Sequence, residues 1–191
     1  MATTSGGGNR RRPHGPGLGA ARLTRVWRQA HRSYADGADR PLGGYLTAMA
    51  GFGAYAAALG TAVRVGRKEP LPERPESSDV LLTAVATFRL SRLLSKSAVT
   101  SPLRAPFTRF EGPEGASELS EEVPEDSSSH TVGELLTCPF CVGVWVVSGL
   151  TASRLLWPRA TGTVTGALTA LAGADALQLA YSALVEKVES G

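Results

Sequence analysis

At 191 residues the chain has room for about one domain and a tail. Hydrophobic residues make up 42% and charged residues 19%, averages that suit a soluble globule, but the apolar residues are gathered into blocks with the charges between them. The net charge of +3 is the remainder of basic and acidic stretches that cancel, which excludes a uniformly basic nucleic-acid binder, and two cysteines exclude a disulfide framework.

Residues 1–40 form a Gly- and Arg-rich tail with GGG at Gly6–Gly8, RRR at Arg10–Arg12 and eight arginines in all. With little to bury, it reads as mostly disordered. The part from Ala20 to Tyr34 has the composition of a short basic helix for an anionic membrane surface. A nucleic-acid role for the arginines is the sharper alternative, set aside because a membrane span follows directly and gives them a simpler use.

From Leu42 to Val63 there are 22 consecutive uncharged residues, enough to cross a hydrocarbon core of roughly 30 Å as a helix. Small residues stand four apart at Ala50/Ala54, Gly53/Ala57 and Ala56/Gly60, spacing that lets helix backbones approach in lipid. A signal peptide is the competing reading, but the apolar run is too long and its polar leader too extended. Residues 65–78 are proline-rich and charged, an extended loop. Asp79 then stands before an apolar-periodic helix over 79–96 that carries Arg89 and Arg92. That helix either lies in the interface, or spans with its arginines against protein or snorkelling to the cytoplasmic end.

The connection 97–136 is polar. Pro102 and Pro106 exclude a regular helix through its first part, and seven acidic residues without a basic one between Glu111 and Asp126 read as a solvated loop. Apolar density resumes towards Cys138-Pro139-Phe140-Cys141 and continues as a helix over 138–157, with Pro158 as its stop. A last helix over 162–186 carries Gly162, Gly166 and Ala170 in small-residue spacing and one acid, Asp175. The expected fold is therefore all-α: a helical integral membrane domain over 41–187 with four transmembrane or membrane-associated helices behind a basic tail.

Orientation follows from the basic residues. Four crossings put twelve on the side of the amino terminus, the loop 97–136 and the carboxyl terminus, and five on the other. The positive-inside rule then places both termini in the cytoplasm, in the cell membrane. The bilayer is the first partner, and small-residue helix faces suit a protein partner or a second copy.

Two constellations carry possible chemistry. Arg89, Arg92 and Lys96 share one helix face, and Asp175, Gln178 and Ser182 repeat the spacing on the last helix. In a four-span arrangement the two helices are parallel and Arg89 matches Asp175 in depth, with Arg92 one turn closer to the cytoplasm. An intramembrane acid can mark a proton or ion path; a structural ion pair is favoured, since a transport path usually needs more than one acid. The second constellation is Cys138 and Cys141 at a helix start, where thiolate is stabilised. On the inner face the thiols meet a reducing compartment. Zinc needs two further ligands, for which His130, His31, His14 and carboxylates are available. A structural pair is preferred to a metal or redox site. No nucleophile triad, P-loop or dinucleotide fingerprint occurs in context, so no cofactor is expected and a non-enzymatic role is favoured.

The block Ala86–Gly112, containing RLSRLLSKSAVTSPLRAPF, and the block Val132–Trp145, VGELLTCPFCVGVW, resemble the bacterial small membrane proteins catalogued as domain of unknown function thirteen-sixty, some labelled sporulation-related. The resemblance covers about residues 42–187 and rests on Ser101, Pro102, Leu103, Arg104, Pro106 and Phe107, then on Cys138, Pro139, Cys141 and Trp145, with ADALQ at Ala174–Gln178. Members often carry an acid just after the lysine, where this chain has Ser97, so the resemblance gives that position no catalytic role. It implies a membrane location and an activity nobody has assigned.

Overall fold

The computed structural model describes residues 42–115, 117–125 and 129–190, together with Val26. The chain divides into two units, 1–42 and 43–191. The expected tail 1–40 and the basic helix within it lie outside the described residues, Val26 excepted.

The elements in chain order are helix α1 (Leu42–Gly66), helix α2 (Ser77–Lys96), a 3-10 turn (Ala98–Thr100), the short helix α3 (Ser101–Arg104), strands β1 (Arg109–Gly115) and β2 (Glu118–Glu122), helix α4 (His130–Thr137), and helices α5 (Pro139–Leu156) and α6 (Pro158–Glu189). Local chemistry sets the boundaries. Asp79 lies in the first turn of α2 and Lys96 in its last, where each complements the helix dipole. Pro139 and Pro158 occupy the first turns of α5 and α6, where a missing N–H costs nothing. Pro158 thus ends one helix and begins the next, so α6 starts at Pro158 instead of Gly162. Trp157 alone, at φ −132° and ψ 68°, makes the break.

The fold is mostly helical, and a two-stranded antiparallel hairpin departs from the all-α expectation. It occupies the stretch read as a solvated acidic loop. Register shifts at Phe110/Gly112 and Pro113/Gly115 make it irregular. Ser117, at φ 66°, turns its tip. The hairpin is tied to the end of α2 by a bridge between Ser97 and Glu118 and by the Ala98 N–H donating to the Ser117 carbonyl at 3.3 Å.

Cross-helix contacts fix the helix directions. Thr169 donates to the Leu82 carbonyl and Asp175 meets Arg89, so α2 and α6 run parallel. Asp79 meets Arg154 while Thr87 and Ser91 face Gly143, so α2 and α5 run antiparallel. Tyr45 reaches Glu134, Tyr55 reaches Trp145 and Arg67 reaches Leu155, so α1 runs alongside α4 and α5 in the same sense. The four long helices therefore alternate up and down in chain order.

Burial is inverted relative to a water-soluble globule. Among the described residues the buried apolar side chains are Ala86 and Ala152, while Ser91, Ser95, Thr161 and Thr165 are buried polar ones. Met49, Phe140, Leu177 and Leu184 face outward. Small side chains allow the helices to close up, and the hydroxyls satisfy themselves on their own helices, as Ser95 on the Ser91 carbonyl at 2.7 Å and Thr165 on that of Thr161 at 2.9 Å. Three helices are long and apolar enough to cross a membrane, α1, α5 and α6. The fourth long helix, α2, is too charged to count with them, yet it packs against both α5 and α6.

The small-residue face of α1 is not what joins it to α5. Phe52, Tyr55 and Trp145 form a ring cluster with centroids 5.1–6.4 Å apart, and these bulky side chains hold the helices at a distance. Space is open where a Cβ would stand at Gly53, Gly60 and Gly166. Close approach is needed elsewhere: a Cβ on Gly44 would lie 2.0 Å from Thr131 Oγ1, and one on Gly149 2.7 Å from the Tyr55 hydroxyl oxygen.

Candidate functional site

The basic face of α2 organises the site. Arg89 Nε lies 2.6 Å from Asp175 Oδ2 on α6. Nε is shielded from solvent, and Asp175 is its ion-pair partner. Arg92 does not share Asp175. It clasps Glu118 of β2 through Nε and Nη2, at 2.9 and 2.5 Å, and its guanidinium lies 5.9 Å from the Phe88 ring centre. Lys96 reaches Glu114 of β1 at 2.6 Å, and this hydrogen bond and charge hold the Glu114 carboxyl below the usual carboxylate range.

One turn beyond α2, Arg104 is fully buried. Its Nε and one Nη fork onto Glu121 at 2.7 and 3.0 Å, and the remaining donors reach the Leu94 and Ser97 carbonyls and Thr100 Oγ1 at 2.8–3.0 Å. All five N–H groups of a guanidinium are thereby used. Arg104 closes the carboxyl end of α2 and locks the hairpin to it. Its neighbours in the sequence explain the placement, since Pro102 lies in the first turn of α3 and the Phe107 N–H turns back to the Arg104 carbonyl at 2.8 Å.

Between α2, the hairpin and the second half of α6 lies a cleft of about 570 Å³, lined by Arg89, Arg92, Glu118, Asp175, Gln178 and Ser182 among others. The structure thus gathers Asp175, Gln178 and Ser182 with two of the three basic residues, and Lys96 stands outside. Glu114, Glu118 and Glu121 are functional neighbours that the sequence reading passed over. The signal for them was present: an acidic run without a basic residue, a few positions after a basic helix face.

Cys138 and Cys141 are free thiols. Cys138 is the N-cap of α5, its Sγ accepting the Cys141 N–H at 3.3 Å. Among the described residues no group of three or more His, Cys, Asp or Glu side chains is placed to hold a metal. His130 is engaged elsewhere, with Nδ1 3.1 Å from the Pro124 carbonyl and Nε2 3.4 Å from Glu134, which also accepts from the Tyr45 hydroxyl at 2.6 Å. His14 and His31 lie outside the described residues. Because an oxygen acceptor can cap as sulfur does, Cys138→Ser with Cys141→Ser should keep the thermal midpoint of the purified protein near that of the parent. Cys138→Ala should lower stability by about 1 kcal/mol, the usual value of an N-cap. Equal losses from the serine and alanine variants would contradict a capping role.

Residues 82–181 match the family described as "Protein of unknown function (DUF1360)". The chain is also 31% identical over 93 residues to a protein named "Sporulation protein YjcA" from Bacillus subtilis (strain 168), a match covering 42% of this chain and 71% of that one. No solved structure matches.

Proposed function

The chain belongs to the DUF1360 family, and from that premise we propose that it is a multi-pass protein of the cytoplasmic membrane with a structural or partner-binding role and no enzymatic activity. The observation that carries the reading is the inverted burial: apolar side chains face outward along α1, α5 and α6, while the charged helix α2 packs against both α5 and α6 and buries Ala86, Ser91 and Ser95 there. Outward apolar surface on helices of that length matches a bilayer. Charged groups on an inner helix, each set against an opposite charge, match the way membrane proteins tolerate them.

On this reading α2 crosses as the inner helix, and both termini face the cytoplasm. The alternating helix directions support four crossings. The pairing of Asp175 with Arg89 supports a register-fixing role over a proton path. The capping role of Cys138 supports a structural thiol over a redox or metal one. The sporulation named for the Bacillus subtilis protein is the process in which a deletion would first be examined.

Impermeant thiol labelling of intact cells tests the topology. In a chain with Cys138→Ser and Cys141→Ser, a cysteine at Ser128 should stay unlabelled from outside and one at Arg74 should react. Labelling at both positions would mean that α2 does not cross, and labelling at Ser128 alone would invert the orientation.

A further inference from the structure

Helices α1 and α5 touch at two levels and stand apart between them. At the first level Phe52 and Tyr55 lie against Trp145, and the Tyr55 hydroxyl donates to the Trp145 carbonyl at 3.2 Å. At the second, a Cβ on Gly66 would lie 2.9 Å from Leu156, and Arg67 donates to the Leu155 carbonyl at 3.1 Å. Arg67 also holds the Glu69 and Pro70 carbonyls of its own loop, at 3.0 and 3.1 Å. These two struts fix the separation of the helices. Between them lies a slot of about 630 Å³, a volume typical of small-molecule sites.

The wall of the slot is largely apolar, from Ala56, Leu59, Gly60 and Val63 on one side and Val147 and Ala152 on the other. Ser148, on the same wall, spends its hydroxyl on the Val144 carbonyl at 2.8 Å. Water needs several polar partners to be held in such a space, and this wall supplies few. The width decides between apolar occupants. At the helical rise the slot runs about 16 Å from Ala56 to Arg67, which gives a mean section of about 40 Å². A helix about 10 Å across with its side chains has roughly twice that section, so a second copy's helix does not enter. A polymethylene chain does.

Charge at the mouth selects the head group. Arg64 and Arg67 line it against one carboxylate, Glu69, and Arg67 is turned onto three neutral carbonyls that leave its charge in place. The rest of the loop adds Lys68 and Arg74 against Glu73 and Glu76, so the excess of one positive charge stands. Basic residues beside apolar surface at a helix end attract anionic lipid.

We propose that the slot between α1 and α5 binds one acyl chain of an anionic phospholipid, with its head group at Arg64 and Arg67. The lipid as occupant rests on the membrane reading given above.

The test uses the full chain with Trp27→Phe and Trp157→Phe, which leaves Trp145 as its one tryptophan, reconstituted in phosphatidylcholine vesicles. Phosphatidylglycerol or phosphatidylcholine brominated along the chain is then introduced in graded amounts, since bromine quenches an indole that it touches. Trp145 should be quenched at a several-fold lower mole fraction of the brominated phosphatidylglycerol. Gly60→Phe puts a ring into the slot and should abolish that preference. Gly53→Phe, equally open at its Cβ but outside the slot, should keep it. Arg64 is exposed, so Arg64→Gln keeps the proposal testable should Gly60→Phe fail to fold. It should remove most of the preference, because one basic side chain near anionic lipid is worth roughly fivefold.

Equal quenching by the two lipids in the parent overturns the proposal, as does quenching by neither, which would mean that protein covers the slot. A preference that survives in a folded Gly60→Phe or Arg64→Gln protein overturns it too. Flotation of the vesicles separates the two readings. A protein that does not float with them fails the membrane reading and this proposal with it, whereas a floating protein without the preference fails this proposal alone.

Discussion

Replacing Arg104 by alanine should cost about 3–5 kcal/mol of stability, the range seen when one member of a buried ion pair is removed, and should release the hairpin from α2. The loss has three parts. Glu121, whose side chain is 6% exposed, would be left as a buried carboxylate with Thr108 as its remaining side-chain partner. The Leu94 and Ser97 carbonyls at the end of α2 would lose their donor. Thr100 Oγ1 would lose the Nη1 donor as well. Arg104→Lys should recover only part of this, because an ammonium cannot hold a carboxylate fork and two carbonyls on different sides together. Arg109, exposed on β1, is the control: Arg109→Ala should shift the thermal midpoint little. Limited proteolysis of 109–122 alongside thermal unfolding reads both effects. A stable Arg104→Ala protein with a protected hairpin would show that the network is dispensable.

The second large effect is expected at Asp175. On the membrane reading proposed above, an unpaired acid near mid-membrane costs about 2.5–3.5 kcal/mol on insertion scales, and Asp175→Asn leaves Arg89 as the unpaired charge instead. That variant should therefore be destabilised, and adding Arg89→Gln should restore much of the loss. The coupling in a double-mutant cycle should fall at about 1–2 kcal/mol, towards the low end because the two side chains are 21% and 36% exposed to the cleft. Detergent-resistance or thermal midpoints of the two single variants and the double variant provide the cycle. Strictly additive losses would mean that the close approach of Arg89 and Asp175 contributes nothing to stability.

The long helices were legible because nothing in those stretches competes with helix: uncharged runs, flanking prolines, and an acid or a proline at each start. Their limits shifted where Pro158 was taken as a stop alone. Depth matching was enough to bring Arg89 to Asp175, since both positions are counted from helix ends. The hairpin was not legible. RFEGPEG over β1 has no β-branched residue, two glycines and a proline, and pairs irregularly. Charge holds it, through Lys96, Arg92 and Arg104, and local periodicity has no means of registering partners on another element. The same blind spot hid Glu118 as the partner of Arg92, and left Arg104 as one letter of a motif when it closes the end of a helix. The way α1 meets α5 was hidden for a different reason: glycine and alanine permit close approach without requiring it, and three aromatic rings make the contact.

The packing of α2 against α5 and α6 also fixes an order in time. A chain is made from its amino terminus, so α2 leaves the ribosome before anything that surrounds it. Its nearest charge partners come soon: Glu114 lies 18 positions from Lys96, and Glu118 lies 26 from Arg92. Its distant contacts come late, the charge partner Arg154 75 positions after Asp79 and the hydrogen-bond donor Thr169 87 after Leu82. During synthesis the hairpin is thus available to neutralise the carboxyl half of α2 well before α5 and α6 exist to pack against it. On the membrane reading proposed above, the helix least able to enter lipid alone waits for the last helix of the chain, with the acidic hairpin as its partner in the meantime.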